Sequence, residues 1–554
     1  MAPTCRRDQT MVASSKGPGL VRPSSCACSH LMRRTPVDMI SQHLRMHLPL
    51  LAFAFFMGVI AGCSNSQRSP DRGAGGTARD TVWFDDVTDE AGLGEFRHHT
   101  GARGDKWMPE TYGSGGGFID YNDDGWPDIL LVAGGRWTSH PDSAVAAVRL
   151  YRNDGDGTYT DVTSAAGLAD VRTYGMGVTV ADYDNDGDDD FFLTSLHRDY
   201  LFRNDDGQFV DVSRETGVQG ADQWSTCAVF FDANRDSHLD LYVCGYVRWT
   251  PETDLFCTPD GKRKDYCTPQ QYQSVPGRFY INDGDGTFTE RTSANGFADM
   301  PGKSLGAVAL DYNRDGWPDL AVANDTRRDL LFKNNGDGTF EEIGITSGIA
   351  YDYAGNATGG MGIDAGVIDS TGKTTLVIGN FLNESIGLFQ QTSDDMFAYR
   401  SGPTGIRGTS MMTVAFGTFF FDVELDGDLD LLVVNGHVQR LVARQRQGVT
   451  YEQKPHLFIN RGDGTFREAS AAGPLGAKYV ARGSAYADVD RDGDEDVLIT
   501  ENGGPVHLLI NRAIDETVAN SEASRRRPPA EAQPNFLSVQ LRGTESNEIG
   551  RAHV

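Results

Sequence analysis

Short apolar segments alternate with acidic loops along most of this chain. The segment before each loop begins with small residues, as in Gly177-Val-Thr-Val-Ala-Asp182, and the segment after it is rich in aliphatic residues, as in Leu431-Leu-Val-Val434. A third segment, such as Leu150-Tyr-Arg-Asn153, leads through a Gly-Asp-Gly-Thr turn into a fourth, such as Thr158-Tyr-Thr-Asp-Val-Thr163. Short β-rich segments joined by Asp-Gly turns predict antiparallel strands.

This unit occurs seven times, at intervals of 50 to 79 residues, which predicts an all-β fold with the architecture of a β-propeller. A fourth segment follows each of the first six loops but not the seventh. A spare copy, Phe84–Leu93, precedes the first loop and closely matches Tyr159–Leu168. We therefore expect the N-terminal strand to complete the last blade and to close a ring of seven four-stranded blades over residues 84–512.

Six of the seven acidic loops share the pattern D-x-[DNE]-x-D-[GS]-x-x-D. They are Asp120–Asp128, Asp182–Asp190, Asp232–Asp240, Asp311–Asp319, Asp422–Asp430 and Asp488–Asp496. Oxygen ligands at this spacing around a tight turn are what a hard cation such as Ca²⁺ requires. One such loop would be interpreted as a solvated turn, whereas six in the same register predict metal binding. The fifth unit, at Asp369, lacks the acids, and we expect it to bind no metal.

Charge is concentrated in the same loops. The 554-residue chain has a formal net charge of −28, and the six loops together contain 27 Asp and Glu residues. Without cations such clusters repel themselves, and a bound metal would offset much of that repulsion. The acidity also argues against a nucleic-acid partner, because proteins that bind nucleic acids normally present a basic surface.

The repeat units resemble FG-GAP/VCBS repeats, which build the propeller of integrin α subunits and of many bacterial surface proteins. In that family the loop binds Ca²⁺ through the side chains at its first, third, fifth and ninth positions and through the backbone carbonyl at its seventh, here Trp126 in the first loop. The resemblance covers about three-quarters of the chain and implies up to six structural Ca²⁺ ions.

Carried over residue by residue, the resemblance implies a set of side-chain ligands in each loop. They are Asp120, Asn122, Asp124 and Asp128; Asp182, Asp184, Asp186 and Asp190; Asp232, Asn234, Asp236 and Asp240; Asp311, Asn313, Asp315 and Asp319; Asp422, Glu424, Asp426 and Asp430; and Asp488, Asp490, Asp492 and Asp496. The third loop has Ser237 where glycine is usual, so we expect it to be the weakest site. The longer Glu424 is expected to alter the geometry of the loop that follows blade six's first strand.

The N-terminal region predicts export. Residues Leu48–Ile60 form an apolar segment too short to span a bilayer but suited to a signal peptide. It ends in Ile60-Ala-Gly-Cys63, which resembles the bacterial lipobox; the alternative is an ordinary signal peptide in which Cys63 is incidental. We therefore predict a doubtful upstream extension (1–38), a lipoprotein signal peptide (39–62), lipidation of Cys63 and a tether (63–83). Ser64, rather than an aspartate, follows the cysteine. By resemblance to the sorting rule of Gram-negative lipoproteins, this residue favours delivery of the protein to the outer membrane.

Four further cysteines follow Cys63, an even number that fits two disulfides in an exported protein. Cys257 and Cys267 lie in one irregular insertion, and we expect them to pair. Cys227 and Cys244 flank the third acidic loop on adjacent strands, where either a disulfide or two buried thiols fits the sequence.

After a polar linker (513–534), residues 535–554 resemble the start of an ASPIC/UnbV domain, which often follows such propellers. The family domain is longer than this segment. We therefore expect an incomplete domain with a truncated β segment, in a chain that is a fragment of a longer protein.

Catalytic motifs are missing from the sequence: it contains no H-E-x-x-H zinc motif, no G-x-S-x-G elbow and no P-loop. His98, His99, Trp107 and Glu110 could line one face of the ring, or they could simply be polar and aromatic loop residues. We predict a non-enzymatic, calcium-binding propeller, lipid-anchored at the bacterial envelope, that binds an unknown protein or glycan through its loops. The alternatives are an extracytoplasmic enzyme with a site in the central channel and an accessory protein of secondary metabolism.

Overall fold

The computed structural model describes residues 84–135, 146–220, 223–258, 260–298, 300–469 and 473–513. Within these residues the strands form seven four-stranded antiparallel sheets, which confirms the predicted seven-bladed propeller. The predicted signal peptide, Cys63, the tether before residue 84, the linker after residue 513 and the ASPIC/UnbV segment lie outside the described residues. None of the helices in the described part of the chain is long and apolar enough to cross a bilayer.

The strands follow the predicted order within each blade. The N-terminal strand and the first three blades contain β1 (Phe84–Asp86); β2 (Gly116–Ile119), β3 (Asp128–Val132), β4 (Val148–Asn153) and β5 (Tyr159–Asp161); β6 (Gly175–Ala181), β7 (Asp190–Ser195), β8 (Tyr200–Asp205) and β9 (Gln208–Asp211); and β10 (Ser225–Phe231), β11 (Asp240–Gly245), β12 (Arg278–Asn282) and β13 (Phe288–Glu290).

The later blades repeat this order, and in all of them except blade five an acidic loop joins the first and second strands. They contain β14 (Ser304–Leu310), β15 (Asp319–Asn324), β16 (Leu330–Asn334) and β17 (Phe340–Glu342); β18 (Ile363–Val367), β19 (Thr374–Ile378), β20 (Gly387–Ser393) and β21 (Met396–Tyr399); β22 (Ala415–Phe421), β23 (Asp430–Asn435), β24 (His456–Asn460) and β25 (Phe466–Glu468); and β26 (Ala481–Ala487), β27 (Asp496–Glu501) and β28 (Val506–Asn511). In the described residues, helical structure is limited to single turns: α1 (Gly344–Ser347), α2 (Arg407–Ser410), α3 (Val442–Gln445) and 3₁₀ turns at Met108–Thr111, Pro251–Thr253, Pro269–Gln271 and Gly473–Gly476.

The hydrophobic core lies between neighbouring blades. In one such cluster, Leu130 and Val132 of blade one pack against Val178 and Phe191 of blade two. The second strand of each blade is therefore covered on both faces by neighbouring blades. This explains why the sequences of the second strands are continuous apolar runs. This packing holds each acidic loop at one rim of the ring, which we call the loop face.

The ring closes through the N-terminal strand, as the sequence predicts. Strand β1 pairs with β28 in the sheet that also contains β27 and β26, with Phe84 opposite Asn511 and Asp86 opposite Leu509. Phe84 is buried, at 5% exposure, because it fills the junction between the last two blades. The first and last strands of the propeller are therefore held in one sheet.

An ion-pair cluster reinforces this closure. The two ring nitrogens of His507 lie 3.2 Å from Asp86 Oδ2 on β1 and 3.0 Å from Glu501 Oε1, and the ring packs against Tyr479 with centroids 4.6 Å apart. Burial alone would lower the pKa of His507, but hydrogen bonds to the two carboxylates outweigh it and raise the pKa to about 9. The charged imidazolium therefore links the N-terminal strand to the last blade.

This cluster predicts a pH-dependent closure. Because the folded pKa of His507 lies above its unfolded value, the stabilisation is complete below about pH 6.5 and is lost as the pH rises through about 9. We expect it to contribute roughly 2 kcal/mol. A His507→Gln variant should therefore melt below the parent protein at pH 6, and the gap should close by about pH 10. A gap that stays constant across this range would contradict the prediction.

The cysteines adopt two different states. Cys257 and Cys267 form a disulfide. Cys227 and Cys244 are both buried and both free in this structure, so their side chains act as packing groups between β10, β11 and the next blade.

Candidate metal loops and the axial cap

The six acidic loops fold in the same way. In each, the first aspartate accepts hydrogen bonds from the backbone N–H groups at the fifth and sixth positions; in the second loop, Asp186 N and Gly187 N lie 3.1 and 3.0 Å from the two Asp182 oxygens. The aspartate at the fifth position accepts from the N–H at the seventh, as Asp186 does from Asp188 at 3.0 Å. The loop backbone therefore turns its acidic side chains towards one centre.

The ninth aspartate anchors each loop to its blade. Asp190 is fully buried; its two oxygens accept from Tyr183 N at 3.1 Å and from Asn204 N at 2.7 Å. Burial raises the pKa of this residue in every loop, most strongly for Asp190. The values are about 8 for Asp128, 9 for Asp190, 8 for Asp240, 7 for Asp319, 8 for Asp430 and 8 for Asp496. A buried carboxylate with so raised a pKa is stabilised most directly by a cation.

The third position is asparagine in three loops, aspartate in two and glutamate in one. Where it is asparagine, the side-chain amide bonds the fifth aspartate, as Asn122 Nδ2 does with Asp124 Oδ2 at 2.8 Å. Where it is aspartate, Asp184 Oδ1 and Asp490 Oδ1 are buried with no hydrogen-bond partner. In these two loops, carboxylate oxygens at the first, third and ninth positions all lie within 4.8 Å of one another: Asp182, Asp184 and Asp190, and Asp488, Asp490 and Asp496.

This donor set fits Ca²⁺. It consists of oxygens alone, several of them charged, and its orphaned buried oxygens have no other partner in the described residues. The side chains that would hold the ion are those at the first, third, fifth and ninth positions.

The third loop and the loop of blade five differ from the other loops in their backbone. Ser237 of the third loop adopts φ 70°, in the left-handed region that the other loops fill with glycine, so this turn is strained. In blade five, Val367 pairs with Thr374, so the loop between them is two residues shorter than the loop between Ala181 and Asp190. That deletion removes the acidic positions around Asp369, whose side chain instead accepts from Thr371 N.

Sequence analysis missed a residue that joins the loops into a ring. The asparagine that ends the third strand donates its side-chain amide to the backbone of the preceding blade's loop, as Asn204 does to Tyr121 O at 2.9 Å and Asn153 does to Val489 O at 3.0 Å. Blade five uses the longer Gln391 for the same purpose, bonding Tyr312 O. The signal was the recurrent Asn at the strand end, but its partner lies in another repeat.

The opposite face of the ring carries a cap, which sequence analysis did not predict. Three connectors meet there: residues 98–114 before β2, 246–277 between β11 and β12, and 436–455 between β23 and β24. Their aromatic side chains pack over the axis, with Tyr112 and Tyr246 centroids 5.3 Å apart and Trp107 and Trp249 centroids 5.9 Å apart. We call these three connectors the axial cap.

Charged residues of the first and third connectors lie near Tyr266 of the second connector in the axial cap. Tyr266 donates to Glu110 Oε2 at 2.9 Å, and Lys106 Nζ lies 4.7 Å from the centre of the Tyr266 ring. Burial and Glu110 raise the pKa of Tyr266, and Arg440 partly opposes that rise, so Arg440 lies near the same ring. Arg440 also lies over Tyr451, 5.6 Å from its centroid.

The histidine and carboxylate that the sequence singled out occupy buried positions under this cap. His98 is 2% exposed, accepts from Gly503 N at 3.0 Å, and has a pKa lowered by burial to about 3. Burial raises the pKa of Glu110, whose second oxygen has no hydrogen-bond partner among the described residues. Of the predicted group, Trp107 and Glu110 therefore contact side chains of the other connectors, whereas His98 is buried at the start of the first connector.

Comparison with known proteins agrees with the repeat structure. A family model described as an FG-GAP-like repeat matches residues 120–193, 182–243, 252–322, 311–378 and 422–499, together more than half of the chain. Cartilage acidic protein 1 of Xenopus tropicalis is 26% identical over 180 residues, 32% of this chain and 24% of that protein. The human protein of the same name is 25% identical over the same shares. The chain thus spans about a quarter of the length of these curated relatives.

Among solved structures, an Agrocybe aegerita lectin that recognises non-reducing terminal N-acetylglucosamine aligns with a TM-score of 0.41 at 14% sequence identity. The alignment covers 71% of this chain and 87% of the lectin.

Proposed function

The chain belongs to the FG-GAP-like repeat family, and we propose that it is a non-enzymatic, calcium-stabilised propeller of the bacterial envelope that binds a negatively charged protein or glycan on its axial cap. The observation that carries this proposal is the meeting of three connectors over one end of the axis. Calcium would serve the scaffold, because each candidate metal loop is bonded to its own blade and to the next one.

The charge of the axial cap selects the class of ligand. Its three connectors contain ten Lys and Arg against seven Asp and Glu, in a chain whose net charge is −28. Arg440, Arg444 and Arg446 are exposed, whereas Glu110 of the same cap is buried. An anionic ligand would therefore be attracted to the cap and repelled from the rest of the surface.

The direction of β1 supports an outward-facing cap. Phe84 pairs with Asn511, whose N–H bonds the loop residue Asp496, so the strand begins at the loop face. A lipid on Cys63 would attach through about twenty residues to that face. The loop face would then lie towards the membrane, with the cap directed away from it. Calcium would also reduce repulsion between the acidic loops and anionic lipids.

The proposal can be tested by binding of the calcium-loaded protein to immobilised polygalacturonate, poly-L-glutamate and neutral dextran. We expect at least one of the two polyanions to bind and dextran not to. A Lys106→Gln/Arg440→Gln variant should weaken that binding about tenfold, the loss of about 1.4 kcal/mol of charge contacts.

The matched control is Arg461→Gln, which removes an exposed charge in the turn between β24 and β25, on the face opposite the cap. It should change binding by less than about twofold. Equal binding of dextran, or an unchanged affinity of the double variant, would contradict a charged site at the cap.

A variant of the second loop should change stability in opposite directions with and without calcium. Asp184→Asn removes a half-buried carboxylate whose Oδ1 has no hydrogen-bond partner among the described residues, and supplies an amide that can bond Asp186, as Asn122 bonds Asp124. In chelator we expect the protein to gain about 1 kcal/mol. Calcium should raise the stability of the variant less than it raises that of the parent, because the variant has lost one charged ligand. In calcium the variant should therefore melt below the parent. Thermal melts in both conditions measure the two effects.

Asp188→Asn makes the same charge change in the same loop, at a side chain that accepts from Asp206 N and is not a predicted ligand. It should shift both melts in the same direction by a small amount. If Asp184→Asn behaves like this control, the third position does not contact a cation.

A further inference from the structure

A funnel enters the centre of the ring from the loop face. It is a cavity of about 540 Å³ whose walls come from the inner strands of blades two to seven. The half-buried side chains of Val229, Val308, Leu310 and Tyr486 give it an apolar wall. A cavity of this size is within the range of sites that hold small organic molecules.

The far end of the funnel is narrow. There the axis is reduced to a cavity of about 50 Å³ among Met176, Leu305, Phe416 and Arg482. Tyr112 of the axial cap lines the same small cavity, and Arg482 donates to Thr111 O of the cap at 2.9 Å. The cap therefore restricts this end of the axis, and a ligand of any size would enter from the loop face.

One charged residue stands in the funnel wall where the fold does not require it. Asp364 on β18 pairs with Val377, the fourth residue of the second strand. The residues at the same pairing position in the other six blades are all uncharged: Gly116, Val178, Ala228, Ala307, Thr418 and Ser484. Blade five, which lost its acidic loop, thus has an acid in the channel instead.

The setting of Asp364 fixes its carboxylate. The residue is 8% exposed, and its Oδ2 accepts from Phe420 N of the next blade at 2.8 Å. The other charged residues that line the funnel, Asp422 and Glu495, are also acidic. Asp422 is the first residue of a candidate calcium loop, so in a calcium-loaded protein its carboxylate would face the metal.

From this placement we propose that the funnel binds a small organic cation: an amine with an apolar body, its ammonium group beside Asp364 and its body against Val308, Leu310 and Tyr486. The apolar wall takes the body by excluding water. The fixed carboxylate and the ring of Tyr486 both favour a positive charge. An anion of the same size would be repelled by these acidic groups. This site lies at the other end of the axis from the proposed ligand site on the cap and does not depend on it.

Three dansyl compounds test the charge rule on the whole propeller, in about 5 mM calcium so that cations are not held by empty acidic loops. Dansylcadaverine ends in a primary amine, dansylamide is neutral and dansylglycine is anionic. We expect saturable, one-to-one binding of dansylcadaverine, seen as a blue-shifted rise in fluorescence. Dansylamide should bind more weakly and dansylglycine should not bind.

Variants at Asp364 locate the site. Asp364→Asn keeps an acceptor for Phe420 N and should weaken dansylcadaverine binding about tenfold, with dansylamide changed less than about twofold. Asp364→Glu restores the charge and should restore most of the affinity. Val308→Trp fills the funnel and should abolish binding of both compounds.

The control Asp369→Asn makes the same charge change in the same blade, at a residue that does not line the funnel, and should leave binding unchanged. Equal affinity of the amine for the parent protein and Asp364→Asn would overturn the proposal, because it would show that the acidic loops alone attract the cation. Binding of dansylglycine as tight as that of dansylcadaverine, or no binding of the amine at millimolar concentration, would also overturn it.

Discussion

Removal of calcium should lower the melting temperature of the propeller by on the order of 10 °C. With about 5 mM calcium and dissociation constants on the order of 10⁻⁴ to 10⁻³ M, each site contributes about 1–2 kcal/mol to the free energy of unfolding, and six sites on the order of 10 kcal/mol. The reason is local: buried carboxylates such as Asp190, and unpartnered oxygens such as Asp184 Oδ1, have no cation in the chelated protein.

The measurement is a thermal melt in calcium and in excess chelator, with bound metal counted by atomic emission. About five or six calcium ions per chain are expected, because blade five lacks the acidic positions. Magnesium is the control: it is smaller and demands a stricter geometry, so it should restore little of the loss. An unchanged melting temperature without bound metal would mean that the hydrogen bonds of the loops suffice and that the acids are solvated.

The ring could be predicted from sequence because its evidence is periodic. The spacing from Asp120 to Asp128 recurs in five other loops, and the extra copy at Phe84 gives the offset that closes the ring. Both features are local: a loop of nine residues and a strand of a few residues. The first and last blades join as this offset predicts, with Phe84 opposite Asn511.

The bonds between blades could not be predicted in the same way. Asn153 is visible as a strand end, but its partner, Val489 O, is 336 residues away, and only the closed ring brings the two together. The axial cap has no repeat to reveal it, because the connectors of blades three and six are single insertions. The position of Asp364 could not be recognised either, because the loop that follows its strand is two residues shorter than in the other blades. An alignment of the repeats on their loops therefore gives a different strand register from the one observed.

Loss of the N-terminal strand should destabilise the propeller by at least about 5 kcal/mol. A chain beginning at residue 90 lacks three ladder pairs of β1, the buried ring of Phe84, and the Thr88 hydroxyl that accepts from Leu508 N at 3.0 Å. Removal of a buried phenylalanine side chain alone costs about 3–5 kcal/mol, and each lost hydrogen bond about 1 kcal/mol. The chain beginning at residue 82 keeps all of these contacts and should unfold like the parent protein in urea.

Comparison of these two truncated chains also distinguishes the effect of ring closure from the effect of shortening the chain. Without β1, strand β28 becomes an open edge, and an unpaired edge favours association with another chain. We therefore expect the size of the shorter chain, measured by light scattering, to increase with concentration, whereas the size of the longer chain stays constant.

A single substitution should have a similar effect on stability. Phe84→Ala should reproduce most of the lost stability, and Phe256→Ala, at a ring that is 63% exposed, should cost less than about 0.5 kcal/mol. Equal stability of the two truncated chains would show that blade seven holds with three strands, and that the ring is closed by the packing between blades instead.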